Sequence, residues 1–162
     1  MLKACSISRN INRQAVQILR QRDISVDIWN GEKSPSKEEL QELLIIYDIL
    51  IIGVKEKITK DMISNIKNRK IIGTLSIGLN HIEKECFESG LVDIVNCPTA
   101  NVTSVAEHIF ALILDSSKRI QEANDLVIDG KGDKKFLRSK PSDICGKTIG
   151  LVGAGNISSK VV

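Results

Sequence analysis

Ile49-Leu50-Ile51-Ile52-Gly53-Val54 is the stretch on which the fold turns. Successive side chains of a strand point to opposite faces, so an unbroken aliphatic run needs both faces buried. Strands of that kind belong to a parallel sheet covered by helices. Outward from it the same texture recurs at Ala4–Ile7, Ser25–Trp29, Lys70–Leu75, Val92–Val95 and Thr148–Val152. Segments with helical spacing lie between these runs. Asn12 can cap a helix whose inner face holds Ala15, Ile18 and Leu19. Ser36 and Glu39 form a capping box ahead of Leu40, Leu43 and Leu44, and Thr59 precedes Met62, Ile63 and Ile66. This alternation predicts an α/β fold with parallel strands and right-handed crossovers.

The 162 residues fit one domain, or one small domain with a piece of another. A chain 42% hydrophobic and 27% charged with 3 Pro has a globular composition, not a disordered one. Net charge is +3, with Lys and Arg spread along the chain. No dense basic block argues for nucleic acid, although mild positive charge can attract an anionic substrate. Cys5, Cys86, Cys97 and Cys145 share no CxxC spacing, which speaks against zinc and for reduced thiols in a cytosolic protein. The N-terminus lacks the apolar core of a signal peptide, and no apolar run is long enough to span a membrane. A cytoplasmic location is expected.

After Val95 the texture changes. Asn96-Cys97-Pro98-Thr99-Ala100-Asn101 reads as a linker, so a domain boundary is expected near 97–101. Ser104 with Glu107 predicts a second capping box, opening an apolar helix from Val105 to about Ser117. Residues 121–146 read as a polar surface loop with one irregular turn. The strand expected at 148–152 runs into Gly153-Ala154-Gly155-Asn156-Ile157-Ser158, a dinucleotide fingerprint with Ser at the third glycine position. The first glycine permits a tight turn, the second lets backbone approach a pyrophosphate, and the third position packs helix on strand. A plain βα turn is the competing reading. The ribose-binding acid expected ~20 residues further on would fall past Val162.

Three stretches together resemble the D-isomer-specific 2-hydroxyacid dehydrogenase family. They are Ile72-Gly73-Thr74-Leu75-Ser76-Ile77-Gly78-Leu79-Asn80-His81-Ile82-Glu83, then Val95 to His108 with its Ser104-Val105-Ala106-Glu107, then Gly146 to Ile157. The resemblance covers essentially the whole chain. It implies a flavodoxin-like parallel-sheet substrate domain, residues 1–97, followed by an interdomain helix and the start of a Rossmann NAD(P)-binding domain, residues 98–162. It implies interconversion of a 2-oxo acid and a D-2-hydroxy acid of the glycerate, glyoxylate, lactate or phosphoglycerate type. NAD or NADP would be the cofactor, in a homodimer with no nucleic-acid or membrane partner. The family's catalytic Arg, Glu and His lie downstream of the fingerprint. The chain is therefore expected to be an inactive N-terminal half, cut within the dinucleotide motif.

By the same resemblance, the backbone N–H groups of Ile77 and Gly78 face the substrate carboxylate and Asn101 reaches the substrate at the hinge. Adjacent amides at a strand end do make an anion-binding concavity. The plainer readings are a turn needing glycine's backbone freedom at Gly78 and a loop-fixing Asn101. Gly153, Gly155, Asn156 and Ile157 are the expected cofactor contacts. His108 is rejected as a general acid and read as structural, and His81 as a turn or surface residue. Gly53-Val54, small and apolar where phosphate-binding members carry Arg-Ser, favours a small or apolar 2-oxo acid, with Lys55 and Lys57 either reaching a charge or solvated.

A receiver-like module would need acidic residues where this chain has Ser6-Ile7-Ser8-Arg9 and Gly53-Val54, and a flavodoxin would need aromatics where Trp29 is the only tryptophan. The stronger rival is a non-catalytic member of the same fold that senses a nucleotide or binds another subunit.

Overall fold

The computed structural model describes residues 1–8, 11–133, 135, 137 and 139–162. Arg9, and residues 134, 136 and 138 of the polar stretch, lie outside the described residues. The chain divides into two compact units, Met1–Pro98 and Thr99–Val162.

In the first unit, strands β1 (Leu2–Ser6), β2 (Ile24–Ile28), β3 (Ile49–Ile52), β4 (Lys70–Thr74) and β5 (Val92–Val95) form one sheet in the order β2-β1-β3-β4-β5. Every pairing is parallel. This is the flavodoxin-like order. Period-two alternation sorts the aliphatic run: Leu50 and Ile52 enter the larger core, while Ile49 and Ile51 enter the smaller one on the opposite face. The larger core is closed by α2 (Lys37–Ile46), α3 (Lys60–Ile63) and α4 (Lys84–Glu88), which contribute Leu40, Leu43, Leu44, Met62, Ile63 and Cys86. On the other face α1 (Arg13–Arg20) packs Val16 and Leu19 against Ala4, Val26 and Ile49.

The helix starts follow their caps. Asn12 Oδ1 accepts the Gln14 N–H at 2.8 Å. Ser36 and Glu39 close both halves of their box, at 2.8 and 3.2 Å. One expectation on α1 fails: Ile18 is exposed, and Val16 takes its place on the inner face. The eight-residue helix is rotated so that positions 16 and 19, one turn apart, meet the sheet.

The second unit holds α5 (Val102–Lys118), α6 (Ile120–Ile128) and α7 (Ser158–Val161). Three expectations are corrected here. Helix α5 starts at Val102, so Ser104 lies inside its first turn and cannot cap it. Residues 121–128 are helical, not loop; the helix was hidden by polar residues between Ile120, Leu126 and Val127. Arg119, at φ 58°, separates α5 from α6, and its guanidinium bonds Glu122 at 2.8 Å. Lys118 is ion-paired with Asp143. Finally, Thr148–Val152 carries no strand ladder. A strand exists only through a neighbour, and among the described residues none pairs with it.

Cys5 on β1 is 2% exposed. Burial, and then the Asp27 carboxylate, push its thiol up to about 11 from 9.0. A raised folded-state value means that above pH 9 the unfolded chain loses this proton while the folded chain keeps it. The stabilising contribution is complete below pH 9 and lost as pH rises through about 11. Thermal melts should therefore fall between these values, and Cys5→Ala should flatten that slope. An unchanged slope in the variant would reject the role of the thiol.

Candidate functional site

β4 is held in the sheet by fully buried Ile72 and by Thr74, 1% exposed. Leu75 N–H donates to Ile52 O at 2.9 Å and is the last residue tied to β3. The chain then turns through Ser76, Ile77 and Gly78 and is caught again by Leu79, packed on the core, and buried Ile82.

Within the turn every carbonyl is taken. Ser76 O accepts the Cys97 N–H at 2.9 Å. Ile77 O accepts Nδ2–H of Asn96 at 2.8 Å, and Gly78 O accepts the Ser76 hydroxyl at 2.7 Å. The amides of Ile77 and Gly78 have no acceptor among the described residues. A trans peptide points its C=O and the following N–H in opposite directions. Binding the Ser76 and Ile77 carbonyls to the protein therefore turns the Ile77 and Gly78 N–H groups away from those donors. Two adjacent free amides of this kind attract an anion.

Gly78 is exposed, and a Cβ built on it meets nothing within 4 Å. Its φ is not positive, so the reading that the turn needs glycine's backbone freedom is overturned. The neighbouring strand end behaves differently. Gly53 N–H donates at 2.8 Å to Glu56 Oε2, and Glu56 is 7% exposed. The protein's own carboxylate thus occupies the amide at the end of β3. Val54, Lys55 and Lys57 around it are exposed.

His81 lies in a turn, as expected, and is half-buried there; its Nε2 lies 2.9 Å from Thr74 Oγ1, which lies 2.8 Å from Ser76 Oγ. Hydrogen counting orders this chain. Ser76 spends its proton on Gly78 O, so Thr74 must donate to Ser76, and His81 Nε2–H must donate to Thr74.

Asn101 and the Gly153–Ser158 turn belong to the second unit. Asn101 precedes α5 without a side-chain capping bond, so the loop-fixing role is not seen. His108 is exposed on α5. Gly153 has φ +101°, backbone that disfavours any side chain, and a Cβ on Gly155 meets nothing within 4 Å. Ser158 donates to Gly153 O at 2.7 Å, so the serine at the third position closes the turn. A cavity of about 640 Å³ borders it, lined by Leu151, Gly153, Ala154, Ser158, Ser159 and Val162.

Sequence reading missed Asn96, Thr74, Ser76 and Glu56. In sequence Asn96 reads as one letter of a linker. Its only signal is a polar amide directly after the last strand of the sheet, where a side-chain donor can reach a neighbouring strand end.

The profile of the D-isomer specific 2-hydroxyacid dehydrogenase catalytic domain matches residues 5–154. Hydroxypyruvate reductase of Thermotoga maritima is 32% identical over 93% of this chain and 48% of its own length. D-3-phosphoglycerate dehydrogenase of Methanocaldococcus jannaschii is 34% identical over 94% of this chain and 28% of its own. An acyclic imino acid reductase solved in complex with NADPH and D-Arg superposes with a TM-score of 0.84 at 26% identity, over 99% of this chain and 51% of that one. D-Lactate dehydrogenase of Aquifex aeolicus, complexed with NAD and lactic acid, gives 0.77 at 26% identity, over 98% and 46%. The chain thus spans about half the length of most of these relatives. With the match extending over nearly all of its residues, the chain belongs to the D-isomer specific 2-hydroxyacid dehydrogenase family.

Proposed function

We propose that this chain carries the substrate-carboxylate site and the opening of the cofactor site of an NAD- or NADP-dependent oxidoreductase that interconverts a small 2-oxo acid and its D-2-hydroxy acid. The observation behind this reading is the 76–78 turn, with its carbonyls all engaged and the Ile77 and Gly78 amides left free. Residues 1–97 are then the substrate domain and residues 98–162 the interdomain helix and start of the dinucleotide-binding domain. The Ile77 and Gly78 N–H groups orient the carboxylate by neutral hydrogen bonds, and the Asn101 amide donates to a substrate oxygen. Val54 at the end of β3, exposed and apolar, suits a substrate with a small or apolar side chain.

Gly153, Gly155, Asn156 and Ile157 would hold the dinucleotide. The positive φ of Gly153 and the empty space over Gly155 fit close approach of a pyrophosphate. Bound there, the nicotinamide supplies or takes up the hydride.

In an active enzyme carrying this chain, Gly78→Val should crowd the approach to the amides while leaving the melting temperature nearly unchanged, since the added side chain meets open space. Asn101→Ala should cost roughly 0.5–1.5 kcal/mol of substrate binding. Wild-type KM and kcat in both variants for every 2-oxo acid would reject these residues as contacts.

The 162 residues alone are proposed to be inactive, because Thr148–Val152, which should lead into the cofactor turn, pairs with no strand among the described residues. Turnover of NADH or NADPH with pyruvate, glyoxylate or hydroxypyruvate by the purified chain would refute this.

A cytoplasmic homodimer is the proposed assembly. All four cysteines are free, and α5 and α6 expose Leu112, Leu114, Val127 and Ile128, apolar surface that a second copy would cover. Sedimentation of the active enzyme should give a dimer; a monomer at micromolar concentration rejects it.

A further inference from the structure

We infer that Asn96 is a positioning residue, whose side-chain N–H holds the Ile77 carbonyl and thereby aims the Gly78 N–H at the substrate carboxylate. The proposal rests on the reading that the 76–78 turn receives that carboxylate.

The Ile77 carbonyl and the Gly78 amide share one peptide plane, and the described residues contain no cis bond. Whatever fixes the oxygen fixes the opposite direction of the hydrogen. Asn96 Nδ2 does so at 2.8 Å. The preceding plane, Ser76 O with Ile77 N–H, is fixed in the same way by Cys97 N–H at 2.9 Å. Consecutive residues after β5 thus hold consecutive planes after β4. They differ in one respect. Cys97 uses its backbone, which any residue supplies, whereas Asn96 uses its side chain, so its contribution can be removed alone.

The plane between Ile77 and Gly78 is also the one that most needs holding. Rotating it changes ψ of Ile77 and φ of Gly78, and glycine accepts positive φ at little cost. A flipped plane would present a carbonyl oxygen to the anion where an N–H stood, turning attraction into repulsion. The residue that leaves room for the ligand therefore also leaves its peptide free to turn. Asn96 removes that freedom. The Ser76–Thr74–His81 chain holds Gly78 O, on the next plane, and does not substitute for it.

The test is a titration of the 15N-labelled 162-residue chain with pyruvate, with sodium chloride at matched ionic strength as the control. In the wild type the Ile77 and Gly78 amide resonances should shift together with pyruvate. In Asn96→Leu and Asn96→Ala, which lack the donor, the Gly78 response should collapse while that of Ile77 persists. Pyruvate affinity should weaken roughly 3- to 10-fold, the range for loss of one hydrogen bond. Resonances of β1–β5 report whether the variants stay folded. A general loss of stability would not separate Gly78 from Ile77. If the variants do not fold, the wild type decides: the Asn96 side-chain protons should exchange slowly, and more slowly with pyruvate bound. Exchange as fast as an exposed carboxamide, unaffected by pyruvate, overturns the proposal. If wild-type Ile77 and Gly78 ignore pyruvate, the carboxylate reading falls and takes this one with it. If they respond and the variants respond equally, only the role of Asn96 is lost.

Discussion

Peptide planarity couples each backbone carbonyl to the N–H of the next residue, and the turn after β4 is built on that coupling. Its three carbonyls are bonded to donors from the protein: the Cys97 backbone, the Asn96 side chain and the Ser76 hydroxyl. The two amides at its centre are turned away from those donors and have no acceptor among the described residues. Nothing in this arrangement requires a charged side chain. It requires that β4 and β5 be adjacent and in register, so that Asn96 and Cys97 arrive beside Ser76 and Ile77. The sheet supplies this through Ile72 and Val92, both buried in the larger core.

The ends of β3 and β4 show how the same backbone chemistry leads to opposite results. Both strands stop at a glycine-containing turn on the same edge of the sheet. At Gly53 the amide is satisfied by Glu56, a carboxylate three residues on and itself buried. At Gly78 no acidic side chain follows within the turn, and the amide stays open. A backbone donor is a ligand site only where the chain has not already filled it.

In the second unit the Gly153–Ser158 turn has its local geometry although no strand ladder leads into it among the described residues. Gly153 adopts positive φ and Ser158 closes back onto it, both interactions within a few residues. Thr148–Val152 has the side chains of a strand and, among the described residues, none of its pairing. Turns and caps are local and form from their own residues, whereas a parallel strand is defined by a neighbour distant in sequence.

The same distinction separates what could be read from the chain before its structure. Aliphatic runs determined the five strands and their parallel sense, because two-sided burial leaves little alternative. The Ser36–Glu39 box, the core residues of α2 and the positive-φ turn at Gly153 were also legible, since each depends on neighbours in sequence. Sequence placed the start of α5 three residues late and left α6 in a loop, because capping patterns compete locally and the winner is chosen by packing. Only tertiary structure decided that Asn96 bonds Ile77 across nineteen residues. A hydrogen bond between residues joined only through a crossover leaves no periodic trace in the sequence. Its partners become visible when the strands that carry them are set side by side.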